Sequence, residues 1–418
     1  MSKHRIGYAC IPMSIPYRTT RRMNLKDFNT QGFIEKTGEN INDLLKILEW
    51  NHSQGITMFR ISSDIIPFGS HPINTLAWDE MFEDVLSQCG EFVKQSGMRV
   101  SMHPGQYTVL NSPDEGVVER SIADLEYHCR FLDALGIDDT HKLILHVGGV
   151  YGDKEAAMKR FIANYPRLSQ RVQSRLILEN DERSYTIAEV LDLCRAVQMP
   201  AVFDNLHDAI NPSSLQLEEV LSQVRQTWKP QDGPVKFHYS DQDPNKQRGA
   251  HSQTIDTRSF LAYMKTVDSF DCDIMLEVKD KELSVLKLNP LLREQRVHER
   301  TSLWARYKYR IMETGYANYK RCSAMINDGT PLDEIVIFMD ACLELPFDAG
   351  SFRNTADHVY GYVRKQVSDR EKQQYMLLVE DVSTNAVKIK KLLSKLMYKY
   401  DEKYVLDSVY FAYTDVYS

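Results

Sequence analysis

The chain is 418 residues long, 43% hydrophobic and 26% charged, an ordinary globular composition without the roughly 18-residue apolar run that a membrane helix needs. That length is too great for one small domain and accommodates a barrel of about 250 residues plus a second unit. The formal charge of −7 excludes a generally basic nucleic-acid coat and is uneven, since residues 286–418 hold 20 Lys+Arg against 18 Asp+Glu while the first 285 hold 31 against 40; any nucleic-acid contact therefore uses local basic patches.

Taken in order, short apolar runs alternate with helical periodicity eight times before residue 286. The predicted strands are Ile6–Cys10, Thr57–Ile61, Arg99–His103, Lys142–His146, Arg175–Glu179, Ala201–Asp204, Val235–His238 and Asp273–Glu277. Between them fall a helix near 41–53, where Ile41, Leu44, Leu45 and Leu48 share a face, and further helices near 78–96 and 116–135. Parallel returns need crossovers and eight tilted strands close a sheet, so residues 1–285 are expected to form an α/β (β/α)8 TIM barrel, with an open doubly wound sheet as the alternative.

From 286 to 418 the pattern changes to amphipathic helices, with Leu303, Trp304, Tyr307 and Ile311 on one face and Leu392, Leu393 and Leu396 on another; an all-helical C-terminal domain is expected. Lys388, Lys391, Lys395 and Lys399 form a stripe at helical spacing, either a solvated face or a phosphate-contacting one. Met1–Arg5 leads straight into a strand without an apolar leader, and seven cysteines lack any Cys-x-x-Cys pair. Both features suit a cytoplasmic protein with free thiols.

Six predicted strands end in a group able to bind a metal: His103, His146, Glu179, Asp204, His238 and Glu277. Barrel strands deliver such residues to one C-terminal rim, where the loop histidines His71, His207 and His251 are also expected. So many donors suggest a multinuclear site with bridging carboxylates. Lys236 shares a strand face with His238 and should point inward, where an ammonium must pair with a carboxylate, shift its pKa or be modified to an anion. Pro104 and Gly105 make a rigid turn after His103 that lifts Gln106 and Tyr107 on a protruding loop.

The runs Phe59–Asp64, Phe68–Pro72, His103–Tyr107, Leu178–Asp181, Asp204–His207, Lys236–Ser240 and Leu276–Glu277, in this order, resemble the ultraviolet damage endonucleases, relatives of the endonuclease IV group. The resemblance covers essentially residues 3–282. It implies a metal-dependent DNA repair endonuclease that cuts 5′ to the lesion, with metal ligands at His71, His103, His146, Glu179, Asp204, His207, His238, His251 and Glu277. It also implies up to three divalent ions, typically manganese, and a lysine, here Lys236, that the family can carry as a carbamate. Mixed nitrogen and oxygen ligation alone also suits zinc or magnesium. Trp304–Tyr309, His358–Tyr362 and Asp369–Lys372 resemble a YbgA-like helical domain, which implies no chemistry.

On this reading Glu179, Lys236, His238 and Glu277 carry catalysis and Gln106 and Tyr107 are the wedge. Tyr8 is expected at the rim as a second stacking surface, and Arg18, Arg21 and Arg22 grip phosphates through their forked guanidinium groups. The partner is double-stranded DNA carrying ultraviolet lesions, bound by a monomer. The alternatives are an apurinic-site endonuclease, a metal-dependent sugar isomerase on the same barrel, and a lesion-binding protein that does not cut.

Overall fold

The computed structural model describes residues 4–292 and 297–412; the outer ends of both expected domains, and residues 293–296, lie outside the described residues. Eight strands form in sequence: β1 Arg5–Ala9, β2 Met58–Ile61, β3 Arg99–Met102, β4 Leu143–His146, β5 Leu176–Glu179, β6 Ala201–Asp204, β7 Val235–Tyr239 and β8 Cys272–Leu276. All pair in parallel with their neighbours, and β8 closes on β1, giving a (β/α)8 TIM barrel rather than an open sheet. Capping side chains fix where the helices between them begin. Asp114 caps the helix Glu115–Ala134 by accepting the Val117 N–H, and Thr186 with Glu189 makes a reciprocal capping box for Ile187–Val197.

Two helices differ from the sequence expectation. The first runs Thr30–Ser53, capped by Asn29, well ahead of residue 41; its opening turns carry Gly32, Gly38 and polar residues, so they lack an apolar stripe to read. The stretch 78–96 breaks at Phe82 into Trp78–Met81 and Glu83–Ser96.

Strand alternation sorts the barrel interior into layers. Near the N-terminal end lie Arg99 and Asp273, joined at 2.8 Å, with Arg5 on the other carboxylate oxygen at 3.3 Å. Arg99 also donates to the carbonyls of Thr140, Pro234 and Asp232. Beside them the buried Lys142 ammonium reaches Asp232 at 2.7 Å and the Ser174 carbonyl at 2.7 Å. The middle of the barrel is mostly apolar, with Ile144, Ile177 and Val202 clustered together and Ala9, Met58 and Met275 forming another group higher on β1, β2 and β8. Gly7 is required there, because a Cβ at that position would lie 2.4 Å from the Met58 carbonyl oxygen.

The chain divides into two compact units, Ser2–Ile255 with Ala262–Val285, and Leu286–Ser418 with Asp256–Leu261. Among its described residues the second unit is helical, with its main helices at Val297–Glu313, Tyr316–Asn327, Leu332–Leu343, Ala349–Tyr360, Asp369–Leu378 and Val382–Lys399. Phe352, Val359, Tyr375, Ile389, Leu393 and Leu396 belong to its core. Within that core the buried Lys390 ammonium meets Glu313 at 3.0 Å, and Arg310 meets the same carboxylate at 3.0 Å.

Candidate metal centre at the barrel rim

The upper interior positions of β4, β5, β6 and β7 are His146, Glu179, Asp204 and His238, and His103 and Glu277 follow directly on β3 and β8. A short helix, Asn205–Ile210, starts from Asp204 as its cap; the Asp204 carboxylate accepts the His207 N–H at 2.8 Å and so turns that imidazole back over the barrel. Three groups of donor atoms result: His103, His146 and Glu179; Glu179, His238 and Glu277; Glu179, Asp204 and His207, the atoms of each group lying within 4.8 Å of one another. Glu179 is common to all three. One of its oxygens is 2.8 Å from His238 Nδ1, and the other is 3.2 Å from His103 Nε2 and 3.7 Å from His146 Nε2.

This donor set fits divalent cations. Imidazole and carboxylate together suit manganese, zinc or magnesium in varying degree, and two carboxylate oxygens allow a bridge. The hydrogen bonding points the same way: Asp204 Oδ2, His238 Nε2 and His146 Nδ1 are buried without a protein partner, which is costly unless another group engages them. Burial tends to raise the Glu179 carboxyl pKa, but His238, His146 and His103 outweigh it and hold the group well below its ordinary value. Burial pushes the His103 imidazole down to about 4, leaving a neutral ring able to coordinate. His207 is the opposite case: despite burial, Asp204 and Glu179 raise it to about 9, so cation binding there must displace a proton.

Seven of the nine expected ligands fall in these groups. His251 stands next to them, its ring 6.2 Å from that of His207 and its Nδ1 at the Glu277 carbonyl. His71 falls outside these groups: it is exposed, accepts the Ile73 N–H, and packs edge-on against Phe68 in a pocket of about 510 Å³ that Arg22, Asp64 and Tyr107 also line. Gln106 and Tyr107 protrude as expected, Tyr107 being 71% exposed, and the Thr108 hydroxyl anchors their loop to Asp124 at 2.7 Å.

Lys236 is buried inside the barrel as expected, and among the described residues it has no ion-pair partner within 4.0 Å. Burial, reinforced by Arg99 and Arg60, pushes its ammonium pKa well down. Of the three courses open to it, the structure therefore disfavours a carboxylate pair.

The expectation for Tyr8 is corrected. Gly7 and Ala9 share the inward face of β1, so Tyr8 points outward, fully buried against Phe59 and hydrogen-bonded to Asn51 at 2.9 Å; it offers no stacking surface. Arg21 also differs from expectation, because its guanidinium is turned onto Glu39 at 2.8 Å and Asp43 at 2.7 Å. Arg18 and Arg22 are exposed, the latter paired with Asp64 at 2.5 Å.

One site feature escaped sequence reasoning. Arg60, inside the motif Phe59–Asp64, forms an ion pair with Glu277; burial raises the Glu277 carboxyl, but Arg60 together with His238 and His103 outweighs it and holds the group well below its ordinary value. Its signal was a charged residue in mid-strand, two positions from the inward Met58. Elsewhere, Tyr151 on the loop after β4 is 45% exposed with a left-handed φ of 50°.

A closed (β/α)8 barrel whose C-terminal rim gathers imidazoles and carboxylates defines a barrel enzyme with a candidate divalent-metal centre. The sequence profile described as UV-endonuclease UvdE matches residues 4–308, and one described as a protein of unknown function (DUF1722) matches residues 308–414. The chain is 41% identical over 404 residues to a UV DNA damage endonuclease of Clostridium perfringens (strain 13 / Type A), covering 94% of this chain and 96% of the relative. It is 32% identical over 310 residues to a UV DNA damage endonuclease of Bacillus cereus (strain Q1), covering 72% and 95% respectively. The crystal structure of SacUVDE superposes with a TM-score of 0.66 at 38% identity, covering 69% of this chain and 99% of that one. The chain belongs to the UV-damage endonuclease family and is a nuclease that acts on DNA.

Proposed function

We propose that this nuclease cuts double-stranded DNA immediately 5′ to ultraviolet photoproducts at a multinuclear divalent-metal site. The observation that carries the reading is Glu179, shared by three ligand groups beside an exposed loop bearing Gln106 and Tyr107. Bound divalent ions, manganese foremost among up to three, supply an activated water and neutralise charge on the scissile phosphate. The chain's own residues do the rest. Glu179 offers an oxygen to each side of the site, while His103 with His146, His238 with Glu277, and Asp204 with His207 and the adjacent His251 complete the three groups. His71, which lines one pocket with Tyr107, is on this reading the remaining ligand. Gln106 and Tyr107 enter the duplex where a photoproduct has weakened stacking, so unstacking costs less there than in sound DNA. Arg18 and Arg22 contact phosphates, and Arg21 shapes their loop.

Lys236 completes the assignment. As a neutral amine it adds to carbon dioxide, forming an N–C bond and releasing one proton, so that an anionic carbamate stands where an ammonium would repel cations. Its burial without an ion-pair partner supports this chemistry.

The test is a nicking assay on ultraviolet-irradiated, apurinic and intact plasmid with manganese, magnesium or zinc, with cut sites mapped on end-labelled duplex. Nicking of irradiated DNA 5′ to photoproducts is expected. Cutting confined to apurinic plasmid, or 3′ to the lesion, would overturn the reading. For Lys236→Ala, rescue of activity by short carboxylic acids is expected; an unmodified, carboxylate-paired lysine in an active, metal-loaded crystal would remove the carbamate alone.

A further inference from the structure

The C-terminal unit has no chemistry assigned to it, and its most distinctive surface is one face of the helix Val382–Lys399. That helix contains five lysines and no acidic residue. Lys390 is buried on the core side against Glu313, whereas Lys388, Lys391, Lys395 and Lys399 are exposed. At 100° per residue these four fall, with Tyr398, in an arc of about 100°. Tyr398 is 51% exposed, so an aromatic ring is interleaved with the ammonium groups.

The charges on this face are largely uncommitted. Lys399 pairs with Glu371 at 2.7 Å, and Lys388 reaches only the Asn385 side-chain oxygen at 3.4 Å. Among the described residues, Lys391 and Lys395 have no carboxylate within ion-pair distance. The whole unit is close to neutral, with 20 Lys+Arg against 18 Asp+Glu over residues 286–418, so this helix concentrates positive charge on one face.

Opposite the lysines, Ile389, Leu393, Leu396 and Met397 are buried in the unit's own core. The helix therefore has no apolar face left for a lipid surface, which an amphipathic membrane helix requires. What remains is a row of flexible cations about 16 Å long, comparable to roughly four or five phosphates along one strand of duplex. The polyanion that the barrel unit acts on is DNA.

We propose that the exposed face of Val382–Lys399 is a second, sequence-independent contact with the DNA backbone, giving the C-terminal unit a binding role outside the cleavage site. It rests on the family's action on DNA and not on the lesion specificity proposed above. Each lysine that neutralises a phosphate releases a counterion, and that release makes the contribution measurable as a salt dependence.

The experiment uses the full-length protein with Lys388, Lys391 and Lys395 replaced together by Ala, and separately by Arg. Binding to an undamaged duplex of about 40 base pairs is followed by fluorescence anisotropy between about 50 and 200 mM salt, with nicking at saturating DNA measured alongside. The Ala variant is expected to lower the slope of log affinity against log salt by about 2.7, so that the parent protein loses roughly 40-fold more affinity over that range. The Arg variant should keep the parental slope, and nicking at saturation should be unchanged in both. An unaltered slope in the Ala variant would overturn the proposal, as would an equal loss in the Arg variant. A loss seen only with duplex RNA of the same length would also overturn it and assign the face to RNA. Should the Ala variant melt early, Lys395→Glu provides the same readout, with a fall in slope of about 1 or more expected and no fall overturning the proposal.

Discussion

Both ends of this barrel bury charge, but they treat it differently. At the N-terminal end Asp273 divides its oxygens between Arg5 and Arg99, and Asp232 divides its own between Lys142 and the Lys229 N–H. At the C-terminal end Asp204, His238 and His146 each keep a buried atom without a protein partner. The residue types overlap; what separates these groups is that both oxygens of Asp273 and of Asp232 are engaged by protein donors. A buried charge whose hydrogen-bonding capacity is used up holds the strands together, whereas one with capacity in reserve is available to a ligand.

The sharpest test of that contrast is one substitution at each end. Glu179→Gln should lower nicking by at least about 10³-fold, as removal of a central catalytic group does, while binding to damaged duplex persists and unfolding changes little. Chelation should reproduce it. Substantial metal-dependent nicking by the variant would take Glu179 out of the site. Lys142→Ala should do the reverse, destabilising the protein by about 3–5 kcal/mol because Asp232 is left buried and uncompensated. Urea unfolding reads the loss, and nicking per folded molecule should hold.

Smaller effects sharpen the same comparison. Without metal, His207 keeps its proton because its pKa is raised from 6.5 to about 9, chiefly by Asp204 and Glu179 acting against burial. A raised folded-state value stabilises fully below 6.5 and is lost as pH rises through 9, so chelated protein should weaken across that window by on the order of 1–3 kcal/mol. Metal uptake needs the neutral ring and should run the other way, tightening as pH rises; thermal melts with and without manganese from pH 6 to 9.5 would show both slopes. Replacing Gln106 and Tyr107 by Ala should reduce discrimination between damaged and sound duplex by about 1–3 kcal/mol per lost stacking contact. Equal losses on a single-stranded lesion substrate would indicate that the loop supports the metals instead.

The eight strands were legible because each is a short apolar run between turn and helix signals, and six candidate ligand side chains were legible because they end those runs. The face of β1 was not. Both faces of a parallel barrel strand are buried, so Ile6-Gly7-Tyr8-Ala9 gives no polar alternation, and only the close approach at Gly7 shows that the small residues face inward. Arg60 was hidden for a related reason: its partner Glu277 is 217 positions away, and no local pattern links them. Arg21 looked like Arg22 in sequence, but Glu39 and Asp43 on the following helix capture only the former.

Closure of β8 on β1 also has a consequence in time. Arg5 meets Asp273 across 268 residues of chain, so during synthesis at about 5–20 residues per second the first strand waits roughly 13 to 54 seconds for its last neighbour. Glu277, which follows that last strand, cannot join Glu179 and His238 until closure occurs. A nascent or truncated chain thus carries scattered histidines and acids but not the assembled candidate metal centre, which arises only once the barrel is complete.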